Sequence, residues 1–128
     1  MILMTAAFCT FTITAVLGLM IAFNLFTGKY LQTSSSIIHG ASALLGSSFA
    51  IGAALMGETR IYINILMAVV IIVLGVLAVI KRHKTGVVPK GILTVHILLA
   101  LICYVMLGAT VFMGIDTAAL AGIEIPAL

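Results

Sequence analysis

The chain has 128 residues, 64% of them hydrophobic and only 7% charged, with a mean hydropathy of +1.42. That balance excludes a soluble globular domain and describes an integral membrane protein. The net charge of +3 is a topology signal and gives no argument for nucleic acid.

Four apolar runs of spanning length follow one another, roughly 3–26, 35–56, 61–80 and 91–113. A spanning helix needs about 20 residues at ~1.5 Å rise each, and every run qualifies. Strands are excluded because no period-two alternation occurs and each run is about twice the length of a barrel strand. Short connections predict antiparallel neighbours, hence one all-α, integral membrane four-helix up-down bundle. Residues 1–128 then form a single transmembrane domain with a short interfacial tail, 114–128. Five basic residues (Lys29, Lys81, Arg82, Lys84 and Lys90) fall between helices one and two or three and four. Arg60 falls on the other side with Glu58, Asp116 and Glu124. The positive-inside rule places both basic loops in the cytoplasm of a prokaryotic inner membrane and both termini outside, N-out/C-out.

Helix one begins without a basic segment, and its apolar run is too long for a signal peptide, so a retained helix is expected. Thr5, Thr10, Thr12 and Thr14 can bond back to the preceding turn, while Gly18 permits close helix approach. Tyr30 fits an interfacial anchor. Thr33-Ser34-Ser35-Ser36 forms a good N-cap region for helix two. His39, Ser42, Ala43, Gly46, Ala50 and Ala53 then make a stripe of small residues, either a close helix contact or a flat slot for a planar cofactor. Helix three reads as a lipid-facing wall with Asn64 near one end and Gly75 as its one small contact point. His83 lies in an exposed basic loop, and Pro89 suits the first position of helix four. Helix four carries His96, Ala100, Cys103, Leu107 and Thr110 on one face. In the tail, Asp116 can cap a short interfacial helix, ahead of Glu124 and Pro126. A shift of 57 residues pairs Val16-Leu17-Gly18 with Val73-Leu74-Gly75, His39 with His96, Ala43-Leu44 with Ala100-Leu101, and Met56-Gly57 with Met113-Gly114. Eight identities in 71 pairs stand against about six by chance, which is weak evidence of a repeat.

An ionisable residue inside a span is costly and marks a functional site by default. His39 and His96 each lie ~6–8 Å inside a helix, on the diagonal pair of the expected bundle. Two imidazoles facing across a core at one level provide the axial ligation that six-coordinate haem requires. Gly40, Ala43 and Gly46 beside His39, with Ala100 beside His96, leave room for a macrocycle. Lys29, Arg82, Lys84 and Lys90 at the same end suit its propionates. No Cys-x-x-Cys-His is present, so the haem would be of b type. On His39, His96 and their small neighbours the chain resembles the transmembrane b-type cytochromes, whose spanning helices carry single histidines as axial ligands. The resemblance covers helices two and four and implies one haem b. It implies an electron-transfer protein rather than a stand-alone enzyme, passing electrons near the cytoplasmic face from quinol to a redox partner or larger membrane complex.

The alternatives are a non-catalytic accessory or scaffold subunit of a larger complex, and a small transporter or channel. No acidic residue lies in any span, which argues against proton-coupled transport. Cys9 and Cys103 are single and read as packing groups. Zinc or copper held by His39, His96 and Cys103 fits poorly, because Cys103 lies seven residues, about 10 Å, deeper than His96. The lipid bilayer is the certain partner, and a homo-oligomer is compatible with the glycine contacts.

Overall fold

A computed structural model describes residues 1–30, 32–120 and 122; Glu124 and Pro126 of the tail lie outside the described residues. Among these the protein is all-α: α1 Ile2–Phe26, α2 Thr33–Leu55, a 3₁₀ turn Thr59–Ile61, α3 Tyr62–Thr85, α4 Lys90–Met113 and a short α5 Thr117–Leu120. The first four helices are long and apolar enough to cross a membrane.

The helix ends follow from local chemistry. In α1 the hydroxyls of Thr5, Thr10 and Thr12 donate to carbonyls four residues earlier and are satisfied within their own helix, while Thr14 shares its hydrogen between the Thr10 carbonyl and Ser42 Oγ on α2. The helix stops at Thr27, and Gly28 follows at φ +69°. α2 starts earlier than its apolar run and leaves the serines inside the first turn. The cap position, with extended φ and ψ, belongs to Gln32, whose side chain makes no capping bond. The expected serine cap is therefore not formed, because a cap needs non-helical backbone at the residue that supplies it. α3 runs past its apolar segment through Lys81, Arg82, His83 and Lys84, which are helical and exposed rather than a loop. Cations suit the negative end of the helix dipole, and Gly86 at φ +68° ends the helix in the left-handed conformation that glycine adopts without strain. Pro89 stands at the cap of α4, where it has no N–H to leave unpaired, and its carbonyl accepts the Leu93 N–H at 3.0 Å. Asp116 caps α5, taking the Ala119 N–H at 3.3 Å.

α1 packs on α2 and α4, and α3 on α4 and α2, so the four helices close a ring with α2 and α4 on one diagonal. The core is thin and made largely of small residues: Ala7, Ala50, Ala53 and Ala54 are buried, with Met4, Ile61 and Leu107 filling between them. Large apolar side chains such as Val16, Phe23, Ile51, Val73 and Val105 point outward. In lipid such faces gain nothing from contact with one another, so the helices are held by close approach and by polar bonds. Glycines supply the approach. The Phe11 ring lies 3.0 Å from where a Cβ on Gly46 would sit, and Phe8 lies 3.1 Å from the same point on Gly108. Phe8 also stacks on Tyr104 at 5.0 Å, and the Tyr104 hydroxyl meets that of Thr12 at 2.9 Å, pinning α1 to α4.

At the end opposite the α3–α4 connection, polar bonds take over. Asn64, only 4% exposed, donates to the Cys103 carbonyl at 3.0 Å and so ties α3 to α4. The Thr117 hydroxyl lies 2.9 Å from the Arg60 carbonyl and 3.3 Å from Asn64 Oδ1, docking α5 on the same node. α3 is thus more than a lipid-facing wall at this end. Beside it, Arg60 forms a fork with Glu58, Nε to Oε1 at 2.6 Å and Nη2 to Oε2 at 2.7 Å. The Arg60 hydrogen bonds hold the Glu58 carboxyl below its ordinary range.

Replacing Asn64 by Ala removes the bond that ties α3 to the Cys103 carbonyl on α4 and leaves the Thr117 hydroxyl with the Arg60 carbonyl alone. It is expected to destabilise the fold by roughly 1–2 kcal/mol, read as a lowered thermal midpoint in detergent. Glu58 stabilises when ionised, so its contribution is complete above the ordinary glutamate range and is lost as pH falls through its depressed value. Acid titration of stability should show this loss below about pH 4 in the wild type, and Glu58→Gln should flatten it. Partial exposure limits the effect to under about 1 kcal/mol.

Candidate functional site: a histidine pair between helices two and four

His39 and His96 occupy the same place in their helices, each six residues after the first residue of α2 or α4, or ~9 Å along the axis. Their rings meet across the diagonal with centroids 6.4 Å apart and planes inclined by 61°. The structure therefore brings together the two residues that the sequence singles out.

Each ring is anchored in the same way. His39 Nδ1 lies 3.0 Å from the carbonyl oxygen of Thr14 on α1, and His96 Nδ1 lies 2.8 Å from that of Ile71 on α3. Both carbonyls sit within helices, where they also serve the N–H four residues on, at Gly18 and Gly75. Helical side chains lean toward the N-terminus, so a side chain at that fourth residue would stand beside the carbonyl, where each ring lies. Glycine leaves that space open. A Cβ on Gly18 would come within 2.9 Å of His39 Cε1, and one on Gly75 within 3.1 Å of His96 Cε1. The imidazole fills the space that a side chain would take.

This bond fixes the chemistry of the ring. A carbonyl only accepts, so Nδ1 carries the hydrogen, and the neutral imidazole is left with a bare lone pair on Nε2. Among the described residues no hydrogen bond reaches either Nε2. An imidazole whose Nδ1–H is held by a backbone carbonyl is the usual outer-shell arrangement of a metal-ligating histidine. The spacing also fits. Two imidazoles bound to one metal through nitrogen at ~2 Å have ring centres roughly 6 Å apart.

In the first hairpin the anchor has a polar surround. The Thr14 hydroxyl lies 2.8 Å from Ser42 Oγ, and Ser42 donates to the His39 carbonyl at 2.9 Å. Ile71 provides no hydroxyl in the second.

The remaining expected site residues are placed as follows. Gly40 faces open space, and Ala43 and Ala100 are half-buried one turn beyond their histidines. Gly46, by contrast, is covered by the Phe11 ring. From Gly46 through Ala50 to Ala53 the small-residue stripe of α2 is buried helix contact; only its His39 end adjoins the pair. Lys29, Arg82 and Lys90 are exposed, and the Lys29 ammonium sits 5.1 Å above the Phe23 ring. Cys103 bonds with Asn64, and among the described residues no cluster of three metal-ligating side chains occurs.

Sequence reasoning missed Thr14 and Ile71, because a backbone acceptor has no residue-type signature. A usable signal was present in the glycines, since Gly18 precedes His39 by 21 residues and Gly75 precedes His96 by the same number. The chain matches no protein-family model, no curated protein and no solved structure.

Each anchor should contribute modestly to stability. His39→Ala removes the bond to Thr14 and is expected to cost about 1 kcal/mol, whereas His39→Gln, with an amide N–H of similar reach, should recover part of it. Parallel thermal unfolding of the two variants in one detergent checks the difference.

Proposed function

We propose that the protein is a membrane b-type cytochrome in which His39 and His96 hold one haem b through their Nε2 atoms. The observation that carries this reading is the donor set: two imidazoles, each fixed by its Nδ1–H to a carbonyl, with ring centres at a separation suited to one metal. A bound haem would supply one-electron carrier chemistry. The chain's own residues hold and orient the two ligands, and they offer small side chains beside them at Gly40, Ala43 and Ala100. Lys29, Arg82 and Lys90 supply exposed positive charge for carboxylates near the membrane surface.

In this reading the helices form an up-down bundle in the prokaryotic inner membrane, with both termini outside and the basic ends in the cytoplasm. The histidines then lie about two turns below the cytoplasmic boundary. A single haem at that depth serves local exchange near the cytoplasmic face, with quinol from the bilayer as donor and a partner protein as acceptor.

The test is the visible spectrum of the full-length protein, purified in detergent from cells supplied with haem precursor. A Soret band and a reduced-minus-oxidised α band are expected. His39→Ala and His96→Ala should each abolish the spectrum or convert it to a five-coordinate form. A colourless wild type that remains monodisperse and helical would refute haem binding and favour a scaffold subunit.

A further inference from the structure

The two histidine anchors are one device used twice. His39 reaches back 25 residues to Thr14, and His96 reaches back 25 residues to Ile71. Thr14 and Ile71 differ by the same 57 residues that separate His39 from His96 and Gly18 from Gly75. Helix boundaries repeat at that offset as well. α2 begins at Thr33 and α4 at Lys90, while α1 begins at Ile2 and the 3₁₀ turn leading into α3 at Thr59. Gly57 and Gly114, again 57 apart, both take positive φ just beyond the second helix of their hairpin, at +91° and +67°. Eight identities alone cannot separate a repeat from chance. The shared helix starts and the paired acceptors Thr14 and Ile71 lie outside those identities, and the identical glycines and histidines also take the same backbone sign and make the same bond in both halves.

We infer that the chain is a duplicated helical hairpin whose two copies supply equivalent halves of one ligand site, with Gly18 and Gly75 as the positioning residues. This rests on the reading of His39 and His96 as ligands and deepens it. Each glycine leaves room for the ring beside the carbonyl four residues before it; the carbonyl selects the Nδ1–H tautomer; the bare Nε2 is thereby left for the ligand. Equivalent halves contribute two imidazole nitrogens and nothing else, since no third metal-ligating side chain joins them among the described residues. A metal held there must bring its remaining ligands with it. The ligand inferred is a metal already bound in a planar macrocycle, whose other donors are fixed, rather than a hydrated divalent ion, whose waters exchange.

The experiment uses full-length apoprotein in detergent, labelled with ¹⁵N-histidine and studied by NMR well above the ordinary imidazole range. His39→Gln and His96→Gln identify the signals, and exposed His83 serves as the internal control for a free ring. Both His39 and His96 are expected as pure Nδ1–H tautomers, with His83 a mixture. Gly18→Ala should convert only His39 to a mixture, and Gly75→Ala only His96. Each should weaken haemin uptake by a similar factor, at least about tenfold, while zinc and nickel ions show no saturable binding to the wild type. Wild-type rings that are tautomeric mixtures would overturn the assignment without any variant having to fold. So would alanine variants that leave the tautomers unchanged, or that differ from each other by more than tenfold in haemin affinity. Pure tautomers without haemin uptake would uphold the positioning role and refute the haem reading; haemin uptake by tautomeric mixtures would do the reverse.

Discussion

An imidazole placed among apolar helices has to find a partner for the N–H it carries. In this protein both find it in a backbone carbonyl that is already in use. Leaving that N–H unpaired would cost on the order of 1–3 kcal/mol, a large fraction of what holds so thin a core. The second lone pair of a helical carbonyl is the most abundant acceptor available, but an imidazole reaches these two through the space that a side chain one turn on would fill. Glycine at that position is therefore what allows α2 to seat on α1 and α4 on α3 at the histidine level. The seating sets the ring planes and the tautomer together.

The rest of the bundle follows from the same shortage of driving force. With lipid outside, burying a leucine stabilises little, so contact depends on close packing and on polar bonds. Along the bundle, aromatic rings from α1 cover glycines on α2 and α4, Phe11 over Gly46 and Phe8 over Gly108. At the far end Asn64, Thr117 and the Arg60–Glu58 fork close the structure. The Asn64 bond falls at Cys103, seven residues and about 10 Å along α4 from His96, so the histidine pair and the Asn64 node are distinct units. Cys103 belongs to the second by its contacts, although it shares a helix face with His96.

How far the sequence revealed this depends on where each interaction keeps its information. Helix number and approximate spans came from hydropathy, because twenty apolar residues in a row have few alternatives. The meeting of His39 and His96 came from matched depth on diagonal helices. Helix ends were less accessible: Lys81–Lys84 looked like a loop, since hydropathy marks where lipid ends and not where helical hydrogen bonding ends. The serines before α2 looked like a cap, but a backbone one or two residues out of place removes that role. The stripe from His39 to Ala53 left open whether a planar ligand or another helix covers it. Phe11, some thirty-five residues away in sequence, decides this for Gly46, and no local pattern could report it. Thr14 and Ile71 were hidden because their contribution is a carbonyl, which every residue possesses.

The two hairpins also differ in an informative way. Around His39 the anchor is embedded in hydroxyls from Thr14 and Ser42, whereas the corresponding positions near His96 are Ile71 and Leu99. If the imidazoles served only to staple helices, the hydroxyl web and the carbonyl bond would be interchangeable means to one end. A second hairpin with β-branched and aliphatic packing would then have little need of a histidine. Instead the second hairpin dispenses with the hydroxyls and keeps the one bond that determines which ring nitrogen is free. The features common to both halves, glycine, carbonyl and histidine at fixed spacing, control Nε2; the features that differ control only packing. That division is what the proposed ligand shared between the hairpins requires, and what helix stapling alone does not.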